Sequence, residues 1–135
     1  MQTMNKNYQL ITEQVIVLAK EVAIYINRES LNFSLDKVET KSKNDFVSYV
    51  DQESEKLLVK ALREIVPEAG FVTEEGTTTK ANGEDYLWVI DPLDGTTNFI
   101  HGSTPYAISI ALSYKNEIVV GVIHEITRAE TFYAW

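Results

Sequence analysis

The first part of the chain carries apolar residues at the spacing of an amphipathic helix. Ile11, Val15, Leu18, Val22 and Tyr25 recur every three or four positions, which places them on one face of a helix. The charged residues of the same stretch fall between these positions. The pattern therefore predicts a first helix with one face turned towards a core.

A second helix is predicted after Asp51, where apolar residues again follow the helical period. Leu58 and Ile65 lie on one side of it, and Pro67 ends it because proline cannot continue a helix. Asp51 itself is a candidate N-cap of this helix, since aspartate accepts hydrogen bonds from the first free backbone N–H groups. Residues 30–44 are polar, and we expect them to form a connector between the two helices.

The second half of the chain changes to short apolar, β-branched and aromatic runs, which indicate strands. Two runs, residues 71–73 and 87–90, are separated by a polar segment. Three more, 107–114, 117–126 and 131–135, follow one another with short turns between them, as antiparallel strands do. The predicted class is therefore α/β (an α+β layered sandwich), with two N-terminal helices packed on a largely antiparallel sheet.

Composition and charge narrow the classes of partner. The chain has 135 residues and a net charge of −8, which disfavours binding to nucleic acids and to anionic membranes. It contains no cysteine, which excludes disulfides and thiolate metal sites. The polar N-terminus lacks the apolar core of a signal peptide, so we expect a cytoplasmic protein.

The last predicted strand runs to Trp135 without a polar tail. We therefore expect residues 1–135 to be the N-terminal part of a longer domain. The alternative is that residues 131–135 are a true terminal strand held in a sheet.

Carboxylates concentrate where two of the predicted strands end. Glu74 follows the strand 71–73, and Asp91 and Asp94 follow the strand 87–90. If these strands are neighbours, the three carboxylates approach and repel one another unless a cation lies between them. A site made of oxygen donors suits Mg²⁺, Mn²⁺ or Ca²⁺ rather than Zn²⁺.

The turn that follows the strand adds groups suited to a phosphate. Pro92 stiffens the turn, and the Leu93 carbonyl is a candidate further ligand. Gly95 allows the backbone to approach an anion closely, and Thr96 supplies a hydroxyl. A bound metal reverses the local charge, so an acidic protein of this kind is able to bind phosphate and to act on it.

Each of these features also has an ordinary structural explanation. Asp94 followed by Gly95 is typical of a simple turn, and Glu74 followed by Glu75 is typical of a solvated loop. A Ca²⁺-stabilised turn is a further alternative, although the stretch lacks the alternating oxygen ligands of a calcium loop. The combination of the features, rather than any one of them, favours metal-dependent phosphate chemistry.

Three stretches together resemble the inositol monophosphatase family. Residues 90–99, IDPLDGTTNF, are similar to its first signature, and residues 71–76, FVTEEG, to its (Ile/Val)-x-Glu-Glu motif. Residues 41–55, KSKNDFVSYVDQESE, are similar to its Lys-x-x-x-Asp-x-Val-Thr-x-x-Asp segment. Ser48 stands where the family has Thr, and Thr73 stands where Gly is common. The family belongs to a superfamily of Mg²⁺-dependent phosphatases that includes fructose-1,6-bisphosphatases and nucleotide 3′-phosphatases.

The resemblance implies roles for the matching residues. The implied metal ligands are Glu74, Asp91, Leu93 through its carbonyl, and Asp94. The implied substrate-binding residues are Glu74, Leu93, Asp94, Gly95 and Thr96. The implied catalytic residues are Asp51, Glu74, Thr96 and Lys41. In this scheme Thr96 and Asp51 activate the attacking water, Glu74 orients it, and Lys41 lies beside the site.

The activity implied is a Mg²⁺-dependent phosphomonoesterase acting on inositol monophosphate or a similar sugar-alcohol phosphate. The resemblance also implies two or three Mg²⁺ per complete site, with Mn²⁺ or Ca²⁺ able to substitute in binding, and a homodimer. A 3′-phosphonucleotide or fructose bisphosphate is the alternative substrate. The family's second signature, Trp-Asp-x-Ala-(Ala/Gly)-Gly, does not occur in these residues. A catalytically incomplete chain that binds only metal or a partner protein is therefore a further alternative.

Overall fold

The structure, a computed structural model of the chain, describes residues 6–35, 40–73 and 85–135. These ranges hold the elements α1 (Tyr8–Leu35), α2 (Thr40–Ile65), β1 (Gly70–Thr73), β2 (Tyr86–Asp94), α3 (Thr96–Ile100), β3 (Ala107–Tyr114), β4 (Glu117–Glu125) and β5 (Glu130–Ala134). None of the helices found there is both long enough and apolar enough to cross a membrane.

The strands form a five-stranded mixed sheet in the order β1-β2-β3-β4-β5. β1 and β2 run parallel, with Thr73 opposite Ile90, and each later neighbour is antiparallel. Two residues with positive φ, Lys115 and Asn116, make the tight turn between β3 and β4. The predicted fold class, with two N-terminal helices and a largely antiparallel sheet, is confirmed.

The core lies between one face of this sheet and the two long helices. Alternate strand residues such as Trp88, Ile110 and Val122 are buried, as expected for strands with one face packed. α1 packs against α2 and β4, while α2 packs against β2 and α3. The helical stripe predicted for α1 is buried from Ile11 to Val22, and Tyr25 is half-buried.

The start of the second helix was predicted wrongly. α1 continues to Leu35, and α2 begins at Thr40 rather than after Asp51. The polar residues at the start of α2 hid its period, but Val47 and Val50 already lie on its buried face. Asp51 therefore lies in the middle of a helix and is not an N-cap.

Candidate functional site

The two aspartates of the site lie on β2, which is longer than predicted. The strand was expected to end at Ile90, but it continues through Asp91 and Leu93 to Asp94. Its pairing with β3 shifts register between Asp91 and Asp94. The shift explains why Pro92 and Leu93 are both buried although they are adjacent. Irregularities of this kind re-aim side chains, and they are frequent next to active sites.

Within this irregular stretch the Asp91 carboxylate forms a hydrogen bond with the backbone two residues further along the chain. Its Oδ1 accepts a hydrogen bond from the Leu93 N–H over 3.3 Å. Asp91 is half-buried, the Leu93 side chain is buried and Asp94 is exposed. The bulge thus turns Asp94 towards solvent at the end of the strand, while the local hydrogen bond restricts the Asp91 side chain.

Gly95 makes the turn from β2 into α3. Its φ is +93°, in the left-handed region that side chains disfavour. A Cβ atom at this position would lie 2.8 Å from the Pro105 carbonyl oxygen, which is closer than atoms tolerate. The Gly95 carbonyl accepts the Phe99 N–H over 3.0 Å, so α3 begins directly at Thr96.

The short helix α3 is fastened to the segment that precedes β3. Asn98 Nδ2 donates to the Pro105 carbonyl over 2.8 Å. The ring of Phe99, which is buried, meets Tyr106 edge-on with 5.2 Å between centroids. These contacts hold the turn of Gly95 and Thr96 against the sheet.

α2 brings a buried polar face to the same region. Asp51 is 7% exposed, and α2 packs against both β2 and α3, which carry Asp91 and Thr96. The elements that carry Asp51 and Thr96 therefore contact each other, and the partnership of the two residues stays a prediction. Ser54 and Glu55 are also buried on this helix. Sequence reasoning missed them, although their spacing of three and four from Asp51 would reveal them once the helix is known to start earlier.

The structure does not describe the side chains of two predicted site residues. Glu74 lies outside the described residues, and Lys41 lies in α2 with a side chain that is also outside them. The premise for Glu74 is nevertheless met, because β1 and β2 are parallel neighbours and Thr73 pairs with Ile90. The roles of Glu74 and Lys41 stay predictions.

The described residues offer the type of ligand atom that Mg²⁺ prefers. Asp91, Asp94 and the Leu93 carbonyl offer oxygen atoms on one short stretch, and Mg²⁺ prefers oxygen. Across residues 6–35, 40–73 and 85–135, no three His, Cys, Asp or Glu side chains come together closely enough to hold a metal. A further carboxylate is therefore needed, and Glu74 is the one that the sequence predicts.

The two histidines have different surroundings. His101 is exposed just after α3, whereas His124 is buried on β4, where its Nδ1 lies 2.8 Å from the Thr131 hydroxyl. Burial lowers the pKa of His124, the charge of Lys20 lowers it further, and Glu125 partly opposes this. His124 thus belongs to the contact between β4 and β5 and favours a neutral ring.

Comparison with known proteins places this geometry in a family. Residues 7–135 match the profile of the inositol monophosphatase family. The protein named Nus factor SuhB from Pseudomonas aeruginosa is 46% identical over 99 residues, which are 72% of this chain and 36% of that protein. The fructose-1,6-bisphosphatase/inositol-1-monophosphatase of Thermotoga maritima is 39% identical over 101 residues, 74% of this chain and 38% of that protein.

Solved structures agree with the sequence matches. The extragenic suppressor protein suhB of Bartonella henselae superposes with a TM-score of 0.74 at 31% identity, covering 93% of this chain and 47% of that one. Staphylococcal IMPase-II gives a TM-score of 0.76 at 26% identity, covering 93% and 44%. The chain thus spans less than half the length of these relatives. The match along nearly all of its residues, together with the Asp91–Thr96 segment, shows that the chain belongs to the inositol monophosphatase family.

Proposed function

We propose that this chain is part of a Mg²⁺-dependent phosphomonoesterase that acts on inositol monophosphate or a similar sugar-alcohol phosphate. The observation that carries the proposal is the segment from Asp91 to Thr96, in which two aspartates at the end of β2, a left-handed glycine and the start of α3 follow one another. The Thermotoga maritima relative, which is named for phosphatase activities, supports it.

The chain's own residues divide into a metal-binding set and a phosphate-binding set. Asp91, Asp94, the Leu93 carbonyl and Glu74 would hold Mg²⁺, which supplies positive charge and acidifies water when it is bound. Gly95 and Thr96 would direct backbone N–H groups at the phosphate oxygens, since an anion is favoured where such groups converge.

Proton transfer falls to Thr96 and Asp51 in this proposal. The Thr96 hydroxyl would accept a proton from the attacking water and pass its own to the Asp51 carboxylate. Burial of Asp51 between α2 and its neighbours keeps bulk water from competing for that carboxylate. Lys41 would add positive charge beside the phosphate.

Phosphate release from inositol 1-phosphate, measured with and without Mg²⁺, tests the proposal. We expect release that depends on Mg²⁺, is lost in Asp91→Asn and is kept in Asp85→Asn. Asp85 is an exposed carboxylate just before the opposite end of β2, so it controls for the change in charge. Release by Asp91→Asn within about tenfold (~1.4 kcal/mol) of the parent would contradict the role of Asp91. No release from any form would show that these 135 residues are not active alone.

The substrate is the finer part of the proposal. A 3′-phosphonucleotide or fructose 1,6-bisphosphate remains the alternative, and the Thermotoga maritima relative is named for fructose bisphosphate as well as inositol phosphate. A panel of these three substrates at equal concentration separates the possibilities. Faster release from either alternative would replace the inositol phosphate assignment and keep the chemistry.

A second candidate function is binding of a partner protein or of a second copy. β5 lies at one edge of the sheet that the described residues form, and Phe132, Tyr133 and Trp135 in or beside it are each more than half accessible. Exposed apolar edges favour association, and several relatives are named Nus factor SuhB rather than for an enzymatic activity. Light scattering over a range of concentrations tests it: a mass that rises supports association, and a constant monomer mass argues against the homodimer.

A further inference from the structure

The peptide group between Pro105 and Tyr106 is held from both of its sides. On one side, the Tyr106 N–H donates to Glu125 Oε1 over 3.3 Å. On the other side, the Pro105 carbonyl accepts Asn98 Nδ2 over 2.8 Å. That carbonyl is also the group against which Gly95 packs too closely for a Cβ atom. One planar unit therefore lies between Glu125 and the turn that begins α3.

Glu125 is itself fixed in place. Its carboxylate accepts the N–H of Thr127 over 3.1 Å, the N–H of Arg128 over 2.7 Å and the Thr127 hydroxyl. Burial alone would raise the pKa of Glu125, but these hydrogen bonds, with that from Tyr106, outweigh burial and lower it. The carboxylate is thus an ionised acceptor at the turn between β4 and β5.

A peptide group transmits such a contact because it is rigid and polar. The unit is planar, so fixing its N–H also fixes the direction of its carbonyl. A negative acceptor at the N–H polarises the amide, which strengthens the hydrogen bond that the carbonyl accepts from Asn98. Two further contacts support the same segment: the Ile126 N–H donates to the Tyr106 carbonyl over 3.0 Å, and Phe99 meets the Tyr106 ring.

We propose that Glu125 is a positioning residue for the phosphate-binding turn, acting through the Pro105–Tyr106 peptide on Gly95 and Asn98. It touches neither substrate nor metal in this scheme. Its carboxylate fixes the Pro105 carbonyl against which Gly95 packs, and so sets the direction of the N–H groups of Gly95 and of Thr96 after it. The consequence for phosphate binding rests on the proposed function, whereas the mechanical link rests on the contacts alone.

The link between Glu125 and the phosphate-binding turn can be tested by NMR, without measuring turnover. In ¹H–¹⁵N spectra of the 135-residue chain, Glu125→Gln should move the backbone peaks of Gly95 and Thr96 and the side-chain amide peak of Asn98. Glu117→Gln is the matched control, because Glu117 is an exposed glutamate at the opposite end of the same strand. It should leave those three peaks in place.

A local role for Glu125 would give a different spectrum. If Glu125→Gln moves only the peaks of Thr127, Arg128 and Tyr106, the carboxylate caps its own turn and the proposal is wrong. Should that variant fail to fold, Asn98→Ala tests the link from the other side. It should move the Tyr106 amide while Thr127 and Arg128 stay in place, and an unmoved Tyr106 peak would overturn the proposal.

Activity then separates this inference from the proposed function. If the chain turns over substrate, Glu125→Gln should raise KM several-fold and change kcat less, because the affected N–H groups bind phosphate in the ground state as well. A chain without turnover leaves the spectral result intact, so the failure of one proposal does not decide the other.

Discussion

Thr73 and Ile90 are paired neighbours on the two parallel strands β1 and β2, and each is followed in the chain by an acidic residue. Parallel neighbouring strands end at the same edge of a sheet, so the residues that follow a matched pair begin at that edge. From this pair we expect Glu74 and Asp91 to begin at the same edge of the sheet. This is the structural basis for expecting the two carboxylates to share one cation.

The first prediction follows from this pair. Mg²⁺ at a hundredfold excess over its Kd should stabilise the parent chain by about 2.7 kcal/mol, because only the folded chain presents the site. Glu74→Gln removes one charged ligand, and a site weakened tenfold would give only about 1.4 kcal/mol at the same concentration. Thermal unfolding with and without Mg²⁺ measures the difference.

Asp85→Asn is the control for this experiment, since it removes a carboxylate that is exposed and lies before the other end of β2. Its Mg²⁺ response should equal that of the parent. If Glu74→Gln shows the same response as the parent, Glu74 does not bind the metal and the shared site is wrong.

The second prediction concerns Gly95 and its contact with the Pro105 carbonyl. Gly95→Ala has to place a Cβ 2.8 Å from that oxygen in a left-handed backbone. Gly102 also has a positive φ, but a Cβ there meets nothing within 4 Å. We expect Gly102→Ala to cost about 1 kcal/mol for the backbone conformation, and Gly95→Ala to cost roughly 1–3 kcal/mol more for the collision.

Urea unfolding of the two variants checks this difference. Equal losses would show that the turn shifts freely away from Pro105, so that the carbonyl gives no rigid support. The comparison therefore also bears on the peptide through which Glu125 is proposed to act.

The sequence was sufficient for the elements whose period is carried by apolar residues. The stripe from Ile11 to Val22 on α1 and the alternating runs of β3 and β4 lie where the pattern predicts. The start of α2 was missed because its first turns are polar, and polar residues on a helix leave no hydrophobic period. Only Val47 and Val50 mark the buried face in this first part of α2, and two residues are too few to stand out in a polar stretch.

The sequence names the candidate residues of the site but not the contacts that support them. Asp91, Asp94 and Gly95 stand in a short motif, so the sequence names them directly. Two supporting contacts join residues that are distant in the chain: the packing of Gly95 against Pro105 and the hydrogen bond from Tyr106 to Glu125. Such contacts depend on strand register, which a bulge in β2 changes and which composition and spacing do not encode.

The last prediction concerns the response of the fold to acid through His124. Its pKa is lowered in the folded chain by burial and by Lys20, whereas in the unfolded chain it should lie near the ordinary value of about 6.5. Between these two values the unfolded chain binds more protons, so the free energy of unfolding falls as pH drops below about 6.5 and levels off below the folded pKa. Weakening should be greatest where β5 meets β4, since Thr131 on β5 contacts the His124 ring.

His124→Gln tests this, because glutamine keeps a polar group near Thr131 but does not take up a proton. We expect the parent to lose more stability between pH 7 and pH 5 than this variant does, in urea unfolding at both values. His101→Gln replaces an exposed histidine and should keep the parent's slope. If the slope is unchanged in His124→Gln, other groups cause the acid response, and the ring is accommodated in its charged form within the contact between β4 and β5.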